Sequence, residues 1–136
     1  MSRRIFIHLP VENLQRSIAF FEALGFSHEP RMSEGDTACI VASETIYVML
    51  LSHSKFRELS LKEVCDTSRN LETLLTLECG DRGEVDGLVA KAAAAGGSTI
   101  EEAQDYGFMY SHGFVDPDGH HWGLVSMAAS PTGTEA

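Results

Sequence analysis

Tyr106 to Met127, YGFMYSHGFVDPDGHHWGLVSM, is the stretch on which the fold turns. At its centre stands Asp116-Pro117-Asp118-Gly119. Proline presets φ for the second position of a β-turn, Asp116 can accept from its own backbone further on, and Gly119 tolerates the backbone that reverses the chain. Before the turn Phe108, Tyr110, His112 and Phe114 alternate with Gly107, Met109, Ser111 and Gly113, a period of two with one large and one small face. After it His121, Gly123 and Val125 share one face, while Trp122, Leu124 and Ser126 share the other. The spacing predicts a hairpin that lines something.

Working outward, strands and helices alternate in a repeated order. Arg4–Val11 reads as a strand ended by Pro10, and Leu14, Ile18, Phe21 and Leu24 recur at helical spacing between an N-cap at Asn13 and a stop at Gly25. Phe26–Met32, Thr37–Ala42 and Thr45–Leu51 read as three short strands. Ser54–Asp66 has loose helical spacing, and Thr67–Asn70 is a polar linker. Leu71–Cys79 is again strand-like, and Asp81–Ala95 is a helix stopped by Gly96-Gly97. Ser98–Ala103, Tyr106–Asp116 and His120–Met127 supply three more strands. The order βαβββ occurs twice, an internal duplication of supersecondary structure. The expected class is α+β: two βαβββ modules forming a cupped mixed β-sheet, within one domain over residues 1–127. Module one covers 1–52, a linker helix 53–70 and module two 71–127, with 128–136 a flexible tail.

The 136 residues suffice for one domain with a sizeable core, and the net charge of −10 argues against nucleic-acid or anionic-membrane partners, which need a basic surface. No run approaches the roughly 18 apolar residues of a membrane span, and no signal-peptide pattern opens the chain, so the expected location is cytoplasmic. Cys39, Cys65 and Cys79 are odd in number and lack a Cys-x-x-Cys pair, which reads as ordinary reduced thiols.

The two βαβββ units, the run Pro10-Val-Glu-Asn-Leu14, the helix Ser17–Phe26 (SIAFFEALGF) and the closing Asp116-Pro-Asp-Gly-His-x-Trp122 together resemble the vicinal oxygen chelate superfamily of glyoxalases, extradiol dioxygenases and bleomycin-resistance proteins. Thr45–Leu51 and Gln104–Tyr110 look most like bacterial proteins labelled predicted lactoylglutathione lyases. The resemblance implies a homodimer and, in active members, a divalent metal held by the first and last strands of each half. Carried over by position, the ligands fall at Phe6, at about Met49, at Thr76 or Leu77, and at Gly123. None offers the imidazole, thiolate or carboxylate that such a metal takes. In glyoxalase-type chemistry the metal polarises a substrate oxygen and a ligand carboxylate moves the proton, so both would be lost.

Other residues carry the remaining expectations. His8, two beyond Phe6, and Glu78, two beyond Thr76, are candidates for a metal-free base and its orienter, with a solvent-facing role for each as the alternative. That register turns Leu75, Leu77 and Cys79 under a helix. His112 and His121 are expected to face one cavity, where with His8 and Glu78 they offer a displaced metal site, whereas His120 and His121 must point oppositely. Tyr47, Tyr106 and Tyr110 are expected to line a pocket together with Phe6, Met49, His112, His121 and Gly123, and Trp122 is expected in the core. Gly123 leaves room for a close approach. Three functions follow: a small-molecule-binding protein without the usual metal or any cofactor, a lyase or isomerase using a displaced metal or the His8/Glu78 pair, or a dimeric module whose cup is plugged by Phe6, Met49, Leu77 and Tyr110.

Overall fold

A computed structural model describes residues 2–99 and 101–128. The chain divides after Asp66 into two compact units.

The first unit holds β1 (Ile5–Val11), α1 (Leu14–Ala23), β2 (Ser27–His28), a 3₁₀ turn (Pro30–Met32), β3 (Thr37–Ser43), β4 (Ile46–Ser52) and α2 (His53–Ser60). Its sheet runs β1-β4-β3-β2, with β1 and β4 parallel and the other pairs antiparallel. Asn13 caps α1 by accepting from the Arg16 amide at 3.0 Å. At the other end Gly25 takes φ +100°, its amide donates to Glu22, and the Phe26 amide donates to Phe21. That is a Schellman closure, and the Phe21 and Phe26 rings stack at 6.1 Å as the accompanying apolar contact. The helix lays Ile18, Phe20, Phe21 and Leu24 on Leu9, Val11, Ala38, Ile40, Val48 and Leu50, all buried. By alternation Phe6, His8, Tyr47 and Met49 occupy the opposite face of the sheet.

The second unit holds β5 (Leu75–Glu78), α3 (Arg82–Ala94), β6 (Gln104–Asp105), β7 (Met109–Val115) and β8 (His121–Met127) in the order β5-β8-β7-β6. Parallel β5–β8 repeats the β1–β4 relation, so each unit is βαβββ around a mixed four-stranded sheet. Asp81 caps α3 by accepting from the Glu84 amide at 2.8 Å, and Gly96 at φ +109° ends it with the Gly97 amide donating to Ala92. Val85, Leu88, Val89 and Ala92 cover Phe114, Trp122 and Leu124.

The turn between β7 and β8 is pinned from inside. Gly119, at φ +87°, donates to the Asp116 carbonyl. The buried Asp116 carboxylate accepts from the Asp118 and His120 amides at 3.0 Å each and from the Trp122 indole at 3.1 Å. Thr67 Oγ1 donates to the Asp118 carbonyl at 2.6 Å, closing the turn from outside.

Several expected element bounds need correction. The strand expected over Phe26–Met32 keeps only Ser27–His28, because Pro30 has no amide for a ladder and Glu29 caps the 3₁₀ turn by accepting from the Arg31 amide. The strand expected over Ser98–Ala103 reduces to a single bridge, Ser98 to Val115, and the edge strand comes later, at Gln104–Asp105. Ile100 of that stretch, and 129–136 of the expected tail, lie outside the described residues. Leu71–Leu74 precede β5 without strand structure, and Tyr106–Phe108 form the turn into β7 around Gly107 at φ +87°. Helix α2 ends at Ser60, where Leu61 turns left-handed at φ +62°, so Glu63–Asp66 are not helical.

Candidate functional site

In the second unit Thr76 is the direct partner of Gly123, and Gly123 of Gly113. Alternation puts Thr76 and Glu78 on the face of the sheet away from α3, together with His121, Gly123, Ser111 and Gly113. A cavity of about 260 Å³ opens there, lined among others by Leu74, Thr76, Ser111, Gly113, His121 and Gly123. Its floor is peptide rather than side chain, since two glycines face each other across β7 and β8. The site keeps β7 near it by two ties on one edge, Gln104 to Ser111 and Ser98 to Val115.

His112 as well as His121 borders this cavity, as expected, but by alternation the side chains of Tyr110 and His112 project from the other face of β7. β7 pairs with β8 without a bulge, so Tyr110 lies opposite Ser126 and His112 opposite Leu124, both buried on the α3 side. Tyr110 donates to Asp86 of α3 at 2.7 Å, and the Arg82 guanidinium sits 4.8 Å from its ring centroid. The phenol pKa is raised, first by that hydrogen bond to Asp86. His112 Nε2 lies 3.0 Å from the Glu101 carbonyl, which can only accept, so Nε2 carries the proton; Nδ1 is buried without a partner. Tyr106 is exposed in the turn before β7. His120 is buried in the Asp116 turn, and Trp122 is core.

In the first unit Phe6 and Tyr47 are direct partners whose rings stack at 4.8 Å and 18°, with the Arg4 guanidinium 5.9 and 5.6 Å from the two centroids. His8 pairs with Met49 one pleat further on, and its Nδ1 lies 3.2 Å from the Phe6 carbonyl. His8 and Glu78 belong to different units and are both exposed.

The pairing also shows how the positions carried over by resemblance lie in the sheets. Thr76, not Leu77, faces Gly123, while Leu77 turns to Leu124 under α3. The same relation in the first unit places Tyr47, rather than Met49, across from Phe6. Whether the second position is Met49 or its neighbour on the same face, Tyr47, the set with Phe6, Thr76 and Gly123 does not fit a divalent metal. Gly123 is not merely short of a carboxylate: a Cβ there would lie 2.7 Å from Thr76 Oγ1. Among the described residues no three His, Cys, Asp or Glu side chains group as a metal site requires.

Other reactive-looking groups are committed to structure. Ser33 donates to the Glu29 carbonyl at 2.7 Å and accepts from the Cys39 amide, so in its contact with His28 at 3.1 Å the Nε2 nitrogen is the donor. Burial pushes the Cys79 thiol up to about 11 and also raises Cys39, which leaves neither as a thiolate nucleophile. The residues that sequence reading missed are Ser111 and Gly113. Their signal was present as the small face of β7, and the large face drew the attention instead.

Two βαβββ units with this closing turn define the protein class. The chain belongs to the Glyoxalase/Bleomycin resistance protein/Dioxygenase superfamily, whose model matches residues 5–124. Among solved structures it is similar to the hypothetical protein SA1046 from S. aureus, with 27% identity over 93% of this chain and 94% of that one, and a TM-score of 0.78. A glyoxalase/bleomycin resistance protein/dioxygenase family enzyme from Burkholderia phytofirmans PsJN is 15% identical over 93% and 99% of the two chains, with a TM-score of 0.78. A glyoxalase-related enzyme from Fulvimarina pelagi is 20% identical over 100% and 98%, with a TM-score of 0.75. The last two likenesses are of fold alone. No protein of curated function matches the sequence.

Proposed function

We propose that this protein binds a small organic molecule on the open face of the β5–β8–β7 sheet, without a metal at the positions its superfamily uses. The observation that carries this is the Thr76–Gly123–Gly113 row, where donor groups give way to a hydroxyl and bare backbone beside a cavity. The likeness of Thr45–Leu51 and Gln104–Tyr110 to proteins labelled lactoylglutathione lyases belongs to this proposal, and it makes glutathione thioethers one ligand class to try. A homodimer is proposed with it, supported by Leu59, Leu61 and Phe108, large apolar side chains left exposed. A cytoplasmic setting completes the reading. No helix among the described residues is long and apolar enough to cross a membrane.

The test is a thermal-shift screen in EDTA, covering aromatic acids and amides, glutathione thioethers and cationic glycopeptides, with hits titrated by calorimetry. One class should raise Tm saturably; a ligand at a hundred times its Kd adds about 2.7 kcal/mol, or roughly 8 °C in a domain of this size. Stabilisation by no class, or only after a divalent metal is added, would overturn the proposal.

A further inference from the structure

The two sheets can be compared place by place, because both run first strand, last strand, third strand, with the first pair parallel. In the first sheet the row is Phe6, Tyr47, Val41; in the second it is Thr76, Gly123, Gly113. Where the first sheet carries two stacked rings and an isopropyl group, the second carries one hydroxyl and a cavity. Paired glycines in a sheet expose their peptide planes, and an aromatic side chain from a neighbouring strand can cover such a gap. Here Phe114 and Trp122 border the cavity, but by alternation their rings turn to the opposite face. On this face the strand positions are Met109, Ser111, Val115, Val125 and Met127 with His121, Thr76 and Glu78, and no Phe, Tyr or Trp is among them. Phe114 and Trp122 stack on each other on the opposite face.

Resting on the small-molecule reading above, we propose that the ligand contains a planar aromatic or heteroaromatic ring, which lies over the Gly113–Gly123 pair and replaces the side-chain rings that Phe6 and Tyr47 supply in the first sheet. A cavity of roughly 150 Å³ takes benzene, so about 260 Å³ suits one ring or two fused rings with a small substituent. Thr76, Ser111 and His121 border the floor and offer hydroxyl and imidazole groups to that substituent. The ring carries no negative charge, as no Lys or Arg is among the lining residues and Glu101 is.

The experiment uses benzamide and indole, each beside its saturated twin, cyclohexanecarboxamide and octahydroindole, titrated into the ¹⁵N-labelled full chain and followed by amide NMR. The planar probes should shift the Gly113 and Gly123 amides saturably through their ring current, with at least tenfold tighter binding than their twins. The variant pair T76A and T76A/G123A tests the floor. With Thr76 shortened, the new Cβ at 123 has room, so the added methyl is the only difference, and it should weaken planar probes about tenfold relative to T76A. Gly113 is left alone, because a Cβ there would meet the Trp122 carbonyl oxygen at 2.5 Å. Equal binding of planar and saturated probes, or shifts that bypass both glycines, overturns the ring while small-molecule binding stands. Failure of these probes together with every class in the thermal-shift screen overturns both.

Discussion

Replacing Asp116 with Asn leaves the side chain its size and removes its charge and one acceptor. In the native turn Oδ1 accepts the Asp118 and His120 amides while Oδ2 accepts the Trp122 indole, and the residue is only 4% exposed. An Asn can still face both amides with its carbonyl oxygen, but its NH₂ then meets the indole N–H, donor against donor. One unsatisfied buried donor costs about 1–3 kcal/mol, so D116N should lose that much. D116A, which strips acceptors from both the His120 amide and the indole, should lose more, about 2–4 kcal/mol after the relief of burying no charge. Trp122 is the only tryptophan, and its fluorescence in urea reads the unfolding directly. Burial, set against the pull of His120 and the hydrogen bonds, raises the Asp116 pKa. The native state therefore holds this proton more tightly than the unfolded one. The resulting stability is fully present below the ordinary carboxylate range and is lost as pH rises through the raised value. Asn has no such titration, so the gap between wild type and D116N should narrow as pH rises through that window. A D116N protein within about 0.5 kcal/mol of wild type at every pH would refute this account of the turn.

Glycine substitutions separate two kinds of strain. G119A combines φ +87° with a Cβ driven into the Thr67 side chain and should cost about 1–3 kcal/mol, whereas G25A, at φ +100° with nothing within 4 Å, should cost about 1 kcal/mol in urea titration. Equal losses would mean that Thr67 yields freely. Thiol labelling of the native protein should modify Cys65 quickly and Cys39 and Cys79 only on unfolding, since the first is exposed and the others are buried; three fast thiols by mass spectrometry would contradict the packing. Tyr110→Phe removes the hydrogen bond to Asp86 at an exposed position and should cost under about 1 kcal/mol, while leaving ligand titrations unchanged because Tyr110 sits on the α3 face.

What the sequence made legible was local. Asn13, Gly25, Asp81 and Gly96 bound two helices through bonds spanning a few residues, and the 116–119 turn is built within five positions, so each reads from its own neighbourhood. Alternation along β7 likewise separated a large face from a small one. It could not say which face lies under α3, because that is decided by the pairing of Tyr110 with Ser126 and of His112 with Leu124, sixteen and twelve residues away. The same non-local pairing sets Thr76, rather than Leu77, across from Gly123. Edge strands were least readable. Ser98–Ala103 has strand-like composition, yet only Ser98 bridges β7, and Gln104–Asp105 is polar enough to read as loop.

The central claim is that this chain holds the fold of its superfamily while the positions carried over for the usual metal, Phe6, Met49, Thr76 and Gly123, offer no imidazole, thiolate or carboxylate. Metal stoichiometry tests it most directly, measured by mass spectrometry on protein incubated with zinc, nickel, manganese or iron and then dialysed. The account predicts no ion retained above background. One ion per chain, retained by wild type and lost in T76A/G123A, would contradict it.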